Sequence, residues 1–495
     1  MTDSSATTET PPAQVGNSGL PPLVVDLDGT LIKTDLLFET ANRFVTHRLL
    51  RAPSLIGWLF RGRAVMKAEL AERAAPDAAT LPYHEPLLAW LHAEKASGRR
   101  LVLATASHRT LAEAVAGHLG IFDEVLATEG SVNLKSARKR DLLIARFGEG
   151  GYDYVGNDDA DLAVWAAARH AHVVGASPAL LAKARAQSHV DRVFGSERMP
   201  AAAALFKCMR PHQWVKNLLI VVPLLTAHRY GDAQALSATL WAFIAFGLSA
   251  SSVYVLNDLV DVGDDRHHAS KRKRPFAAGQ MSLLAGWVAW PTLLGLSFLL
   301  AALTLPPIFS AVLAAYLVIT LAYSLRFKQY AVLDVLLLAG LYTIRIVAGA
   351  AAIAVPLSFW LLTFSMFIFL SLAFMKRFSE LRAARQGGKA GTLRGRGYQH
   401  DDLEMVASFG SAAGYMSVLV LALYIQGSDA AQLYQTPRVI WLACPLMLFW
   451  ISRAWLIAHR GLMHDDPIVF AIKDGVSWVT GVGLVAIFAA SGAVS

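Results

Sequence analysis

Two patterns of apolar and polar positions divide this chain. Over residues 23–200, short apolar runs alternate with amphipathic stretches and charged turns. From about residue 205 onward, apolar stretches long enough for a bilayer alternate with short polar loops. In the first region LVVDLDGTL (23–31) is an apolar run of high β-propensity that ends in a carboxylate-rich turn. RRLVLATAS (99–107) and YDYVGN (152–157) read as a second and a third strand, with helical patterning between them. Strands separated by helices predict an α/β domain built on a parallel sheet. One helical stretch, PSLIGWLFRGRAVMKAEL (53–70), sets Trp58, Leu59 and Phe60 beside Arg61 and Arg63. That mixture would suit a bilayer interface, although a face packed within the domain is the expectation. Residues 1–22 are Ser/Thr/Pro-rich and lack an apolar h-region. They predict a disordered tail rather than a signal peptide, so the domain that follows is expected in the cytoplasm.

About nine stretches of the second region can cross roughly 30 Å of hydrocarbon. They fall near 214–230, 237–256, 284–304, 307–325, 332–354, 357–375, 404–425, 438–457 and 476–494. The predicted organisation is a tail (1–22), a soluble α/β domain (23–200) and an all-α membrane bundle (201–495). Basic residues crowd the loops after the second, fourth and sixth stretches. These hold KRKR (271–274), RFK (326–328), and Lys376, Arg377, Arg382, Arg385, Lys389, Arg394 and Arg396. The loops after the first, third, fifth and seventh hold almost none beyond Arg229 and Arg438. The positive-inside rule then puts the N-terminus inside and, with nine spans, the C-terminus outside. The cell inner membrane is the expected location.

Composition agrees with that division. The 495 residues are 55% apolar and 17% charged, against roughly 25% charge in soluble domains. Two cysteines, Cys208 and Cys444, exclude a disulfide framework or zinc module. A net charge of +8 admits nucleic acid or membrane as partner. The basic residues lie in loops between spans, without a recognition helix or RNA-binding motif, so nucleic acid is not expected.

The soluble domain carries a phosphoryl-transfer pattern. Asp26 and Asp28 stand two apart at a strand end, and Gly29 permits the tight turn. One such carboxylate can attack phosphorus while the other moves the proton. Thr105 ends the second strand, where a hydroxyl can hold a phosphoryl oxygen. Lys135 or Lys139, in NLKSARK, can neutralise the phosphate, and spacing favours Lys135. GNDDAD (156–161) offers Asn157, Asp158 and Asp161 to Mg²⁺. Taken in order over residues 23–195, these motifs resemble the haloacid dehalogenase-like (HAD) hydrolases. The resemblance implies a Rossmann-like fold with a small helical cap at 38–95. It also implies Asp26 as nucleophile, Asp28 as general acid/base, and Mg²⁺ on Asp26 and the Asp28 carbonyl. Asn157 departs from the Asp usual in the last motif, which puts metal affinity and activity in question.

In the membrane region, SSVYVLNDLVDVGDDR ends the second span with Asn257, Asp258, Asp261 and Asp265. Continued as a helix, this spacing turns them to one side. Asp is costly near hydrocarbon, and such a cluster suits Mg²⁺ bridging a diphosphate. Arg266, Lys273 and Arg274 follow, Tyr323, Arg326 and Lys328 lie after the fourth span, and Lys216 and Asn217 stand at the first. Arg345 sits mid-span, where it should face the bundle interior, as a polar-site residue or as a tie to helix carbonyls or an acid. Asp334 shares its face. The NDxxDxxxDR, KRP and YSxxxK elements resemble the UbiA superfamily of intramembrane transferases over roughly 203–495. The second DxxxD motif typical of the aromatic prenyltransferases is missing from YSLRFKQYAVLD (323–334). RPHQWVKN and the YSxxxK-then-Asp order are closer to the polyprenyl-phosphate phosphoribosyltransferase branch. That resemblance implies Mg²⁺ on the three aspartates and phosphates neutralised by Lys216, Lys328 and Arg266. Phosphoribosyl diphosphate would be the donor and a polyprenyl phosphate in the bilayer the acceptor. The alternative is transfer of a prenyl group from its diphosphate to an aromatic acceptor, with the HAD domain acting on another phosphate.

Overall fold

The computed structural model describes residues 19–48, 51–129, 134, 136–196, 199–386, 396–463 and 466–492. It falls into two compact units. One takes the chain up to Cys208 together with Val255–Ala289, and the other takes Met209–Tyr254 and Trp290 onward. The Asp-rich segment, expected within the membrane bundle, therefore groups with the N-terminal domain.

The first unit is built on six parallel strands, β1 (Leu23–Val25), β2 (Leu101–His108), β3 (Glu124–Thr128), β4 (Asp153–Gly156), β5 (Ala171–Val174) and β6 (Val190–Phe194), in the order β3-β2-β1-β4-β5-β6. β1 is apolar at every position because both faces of the sheet are covered. Leu23 and Val25 face a core with Leu101, Leu103, Leu87 and Leu111, whereas Val24 faces Val102, Leu143, Tyr154 and Trp165. The covering helices are α1 (Leu36–His47), α2 (Ser54–Phe60), α3 (Arg63–Ala74), α4 (Glu85–Ala96), α5 (Arg109–Leu119), α6 (Ala137–Phe147), α7 (Leu162–Trp165) and α8 (Pro178–Gln187). Helices α1 to α3 make the small cap, with Phe44, Leu70 and Ala74 at its centre. Trp58 packs inward on Phe44 at 5.1 Å, as expected of a cap-packing face. Leu59 and Phe60 do not follow it: they are exposed, Phe60 by 88%.

One buried histidine sets an acid limit on this domain. His172, in β5, lies 4.8 Å from Trp90 and neither ring nitrogen makes a hydrogen bond among the described residues. Burial holds its imidazole down at about 4 from an ordinary 6.5. A folded value below the unfolded one favours the neutral ring, so the stability is whole above pH ~6.5 and is lost as pH falls toward ~4. The loss is on the order of 1 kcal/mol per pH unit across that window. Hydrogen exchange of β4 and β5 in the full chain should accelerate over that window, and His172→Gln should flatten the dependence.

The chain leaves this domain through α9 (Ala201–Met209). The expected first span is instead a 3₁₀ stretch, Pro211–Val221, followed by α10 (Val222–Thr226). A 3₁₀ helix rises about 2 Å per residue, so the 11 residues of that stretch cover ~22 Å and α10 adds ~7 Å. Neither piece is one of the helices long and apolar enough to cross a membrane among the described residues. α11 (Ala233–Val260), the short α12 (Val262–His267), α13 (Leu283–Thr304), α14 (Pro307–Leu325), α15 (Leu333–Ala352), α16 (Phe359–Gln386), α17 (Leu403–Gln426), α18 (Ser428–Leu433), α19 (Ala443–His459), α20 (Pro467–Lys473) and α21 (Gly475–Ala490) follow. Among the described residues seven helices are long and apolar enough to cross a membrane, or eight if α20 and α21 count as one span bent by 83°. The bend falls at Asp474, which caps α21 through Ser477 and is gripped by both arms of Arg453 at 2.7 and 2.9 Å.

Candidate active sites

The strand ends of the first unit gather one polar centre. Asp26 follows β1 directly, and Gly29, at φ 74°, turns the chain back so that its N–H reaches the Thr34 carbonyl. Asp26 Oδ1 accepts from Lys139 Nζ at 2.6 Å, and Oδ2 accepts from Thr30 Oγ1 at 3.2 Å. Asp28 Oδ1 accepts the Leu36 N–H at 2.9 Å, while Oδ2 accepts from Thr105 Oγ1 at 3.2 Å and Ser107 Oγ at 2.7 Å. The two carboxylates thus have different surroundings. Burial, joined by the charges of Asp161 and Asp28, pushes the Asp26 carboxyl up to about 7, against the pull of Lys139.

The ammonium on Asp26 is that of Lys139, in the first turn of α6, and it also donates to Tyr154 Oη at 2.9 Å. Lys135, favoured by spacing, lies outside the described residues. Thr105 touches Asp28 rather than standing alone, and Ser107, two residues on along β2, joins it. Asn157 Oδ1 accepts from the same Thr30 hydroxyl at 3.0 Å that serves Asp26, which sets the two oxygens side by side. That pair of oxygen donors, one of them on a carboxyl pushed up by burial and by its acidic neighbours, fits a hard divalent cation. Asp161, expected to face the metal, is turned inward. Its Oδ2 accepts the N–H groups of Asn157 and Asp158 at 2.9 and 3.0 Å, and Oδ1 accepts from Tyr154 Oη at 2.8 Å. Asp158 is exposed and caps the next short turn. Both acids shape the loop that presents Asn157.

The Asp-rich segment of the same unit keeps helical spacing across its break. The Asp261 N–H donates to the Asn257 carbonyl at 2.9 Å and the Asp265 N–H to the Asp261 carbonyl at 2.8 Å. Asp258 and Asp265 therefore turn to one side, where Arg274 Nη1 bridges them at 3.1 and 2.7 Å. Asp261 is half-buried between α11 and α12. Asp265 Oδ1 is buried and accepts no hydrogen bond, with Lys271 Nζ 3.9 Å away. Burial raises its carboxyl despite Arg274. Among the described residues no three acids, histidines or cysteines converge as a ready metal cluster. The unused buried oxygen still fits a cation that shares the acids with Arg274. Arg266, expected to neutralise phosphate, has its guanidinium engaged by Glu39 Oε1 and Oε2 at 2.7 and 3.1 Å. Lys273 is exposed.

The second unit holds the remaining polar residues. Lys216 Nζ lies 3.4 Å from Asp466, which also takes Lys376 Nζ at 2.9 Å and lies 3.5 Å from the Tyr342 hydroxyl. Burial alone would raise the Asp466 carboxyl, but the two ammonium groups prevail and hold it at about 2. Buried Asn217 accepts from Arg345 Nε at 3.1 Å. Arg345 also donates to the Leu341 carbonyl, with the rings of Phe246 and Tyr316 each 5.2 Å from its guanidinium. It is thus both a helix tie and a member of a polar, aromatic-walled centre. Asp334 lies apart from Arg345, paired with Arg377 at 2.9 Å and Tyr398 at 2.7 Å. Tyr323 accepts from Arg396 at 2.9 Å, Arg326 stacks over Tyr330, and Lys328 is half-buried in the turn Phe327–Gln329.

Residues 218–473 match the UbiA prenyltransferase family and residues 23–174 the haloacid dehalogenase-like hydrolases. The chain belongs to the UbiA family, fused to a HAD domain. It is similar to the uncharacterized protein y4nM of Sinorhizobium fredii, at 38% identity over 464 residues, covering 93% of this chain and 89% of the relative. It is also similar to nodulation protein NoeC of Azorhizobium caulinodans, at 42% over 279 residues, 56% of this chain and 89% of that one. Decaprenyl-phosphate phosphoribosyltransferase of Mycobacterium tuberculosis is 31% identical over 299 residues, 58% of this chain and 95% of that one.

The HAD domain gains Thr30, Ser107 and Tyr154 beyond the residues expected of it, and the UbiA domain gains Asp466 and Lys376. Lys139→Ala in the HAD domain should lower hydrolysis of a small phosphate monoester by ~10²–10³-fold, the scale of removing one oriented charge from a developing anion. Steady-state phosphate release from the full chain measures the loss.

Proposed function

We propose that this chain is a bifunctional membrane enzyme. Its UbiA domain transfers 5-phosphoribose from phosphoribosyl diphosphate to a polyprenyl phosphate, and its HAD domain removes the 5-phosphate from the product. The observation that carries the first half is the likeness to decaprenyl-phosphate phosphoribosyltransferase along 95% of that enzyme's length. The missing second DxxxD motif supports the same choice. The second half rests on the Asp26–Lys139–Asp28 centre and on the monoester that such a transfer leaves behind. Fusion holds the second centre at high effective concentration.

In the transfer, an oxygen of the lipid phosphate attacks C1 of the ribose, the C1–O bond to diphosphate breaks, and diphosphate departs with the electron pair. The acceptor is already an anion, so positioning and charge neutralisation carry the rate. Asp258, Asp261 and Asp265 would hold Mg²⁺, which supplies positive charge to the leaving diphosphate. Lys216 and Lys328 neutralise phosphate oxygens, while Asn217, Asn257, Lys273, Arg274, Tyr323, Arg326 and Arg345 bind substrate.

In the hydrolysis, an Asp26 oxygen attacks phosphorus and the ester oxygen leaves with a proton from Asp28. Asp28 then takes a proton from water as that water attacks the aspartyl phosphate, which frees phosphate and restores Asp26. Lys139 and Thr105 steady the transferred group, and Asp26, the Asp28 carbonyl and Asn157 would hold Mg²⁺ for charge compensation. In this reading the N-terminal domain faces the cytoplasm, the C-terminus lies outside and the bundle sits in the inner membrane, which the Lys/Arg bias of the loops supports. Incubation of the purified chain with Mg²⁺, a polyprenyl phosphate and ribose-labelled phosphoribosyl diphosphate should yield labelled lipid. Label transfer from a prenyl diphosphate to an aromatic acid instead would replace this reading with aromatic prenylation.

A further inference from the structure

We infer that Glu39 and Asn42, on cap helix α1 of the HAD domain, are positioning residues for the transferase, a role that rests on the transferase reading above. Standing three apart, they share one face of α1, and both are buried. Glu39 grips Arg266 through both carboxylate oxygens, with Glu39 4% and the Arg266 side chain 6% exposed. Arg266 Nε also donates to the Ala277 carbonyl at 3.2 Å. Asn42 is used in both directions: Nδ2 donates to the Leu259 carbonyl at 2.8 Å, and Oδ1 accepts from Trp287 Nε1 at 2.9 Å. The Leu259 carbonyl is one of those that the end of α11 leaves without a helical partner.

The fastened residues are the chain neighbours of the acids. Leu259 follows Asp258 and Arg266 follows Asp265, so α1 holds the backbone on either side of the Asp258–Asp265 pair. The Ala277 loop is the one that delivers Arg274 between those acids. Its Gly279, at φ 67°, sits so close to the HAD domain that a Cβ there would lie 2.7 Å from Lys33 Cβ. A buried, bidentate ion pair loses most when one partner is removed, because the other is left uncompensated. Groups that hold metal-facing ligands typically change metal affinity or activity 10–100-fold when lost. The HAD domain thereby braces the acids of the transferase while carrying its own chemistry elsewhere.

Glu39→Gln and Asn42→Ala in the full chain should raise the donor KM about tenfold. Phosphate release from a small monoester should stay within about twofold of wild type, which checks folding. The charge exchange Glu39→Arg with Arg266→Glu should restore the KM of the Glu39 variant. A second readout does not depend on turnover: hydrogen exchange over residues 255–281, with Mg²⁺ and inorganic diphosphate as the probe. Wild type should gain protection there and Glu39→Gln should not. Wild-type KM and protection in both single variants would overturn the inference, and so would a loss that the charge exchange fails to restore. A wild-type chain that moves neither phosphoribose nor prenyl group, yet gains that protection in a Glu39-dependent way, would sink the transferase reading alone.

Discussion

Replacing Asp26 with asparagine is expected to reduce phosphate release on the order of 10⁴-fold or more, the scale of deleting a covalent nucleophile, with lipid labelling intact. In the proposed hydrolysis the carboxylate is the attacking group, and the amide keeps its shape without its reactivity. Asp26 is 7% exposed, and its oxygens are engaged by Lys139 and Thr30. The amide oxygen can keep the Lys139 contact while its NH2 donates to the Thr30 hydroxyl, which can accept as well as donate, so the fold should survive and the loss should be chemical. Phosphate release and lipid labelling, measured on the same preparation, separate the two activities.

Asp265→Asn is expected to reduce the transfer step by ~10³-fold, comparable to removing one preorganised group that balances developing charge. Asp265 is 1% exposed, supplies an unused buried oxygen and shares Arg274 with Asp258. The substitution removes the negative charge that would hold a cation there and leaves Arg274 to Asp258 alone. Phosphate release from a small monoester should be unchanged, since Asp265 makes no contact with Asp26 or Asp28. Single-turnover labelling of the lipid measures the loss. A rate near wild type would remove Asp265 from the donor site.

The strongest strands and the carboxylate motifs were legible because burial on both faces writes continuous apolar runs. β1, β2 and β4 lie in such runs, whereas β5 (AHVV) and β6 (VDRVF) carry polar residues within them and β3 (EVLAT) is bounded by polar residues at both ends. Ser107 could have been found from Thr105, since residues two apart on a strand share a face. Lys139 could not be separated from Lys135 by spacing alone: the start of α6 decides which lysine faces Asp26. Average apolarity marked 214–230 as a span but could not show that it starts in a 3₁₀ stretch and ends in a short α-helix. Asp466 left no periodic signal, standing next to Asp465 in a short loop. The Glu39–Arg266 pair joins residues 227 positions apart, and no local pattern marks either as the other's partner.

The most direct measurement uses phosphoribosyl diphosphate labelled in the ribose and, separately, at the 5-phosphate, with Mg²⁺, a polyprenyl phosphate and either wild-type or Asp26→Asn protein. Both labels should enter the lipid with the variant, while wild type should keep the ribose label and release the 5-phosphate. Ribose-labelled lipid that retains its 5-phosphate in wild type, or no labelled lipid with either protein, would contradict the two-step function.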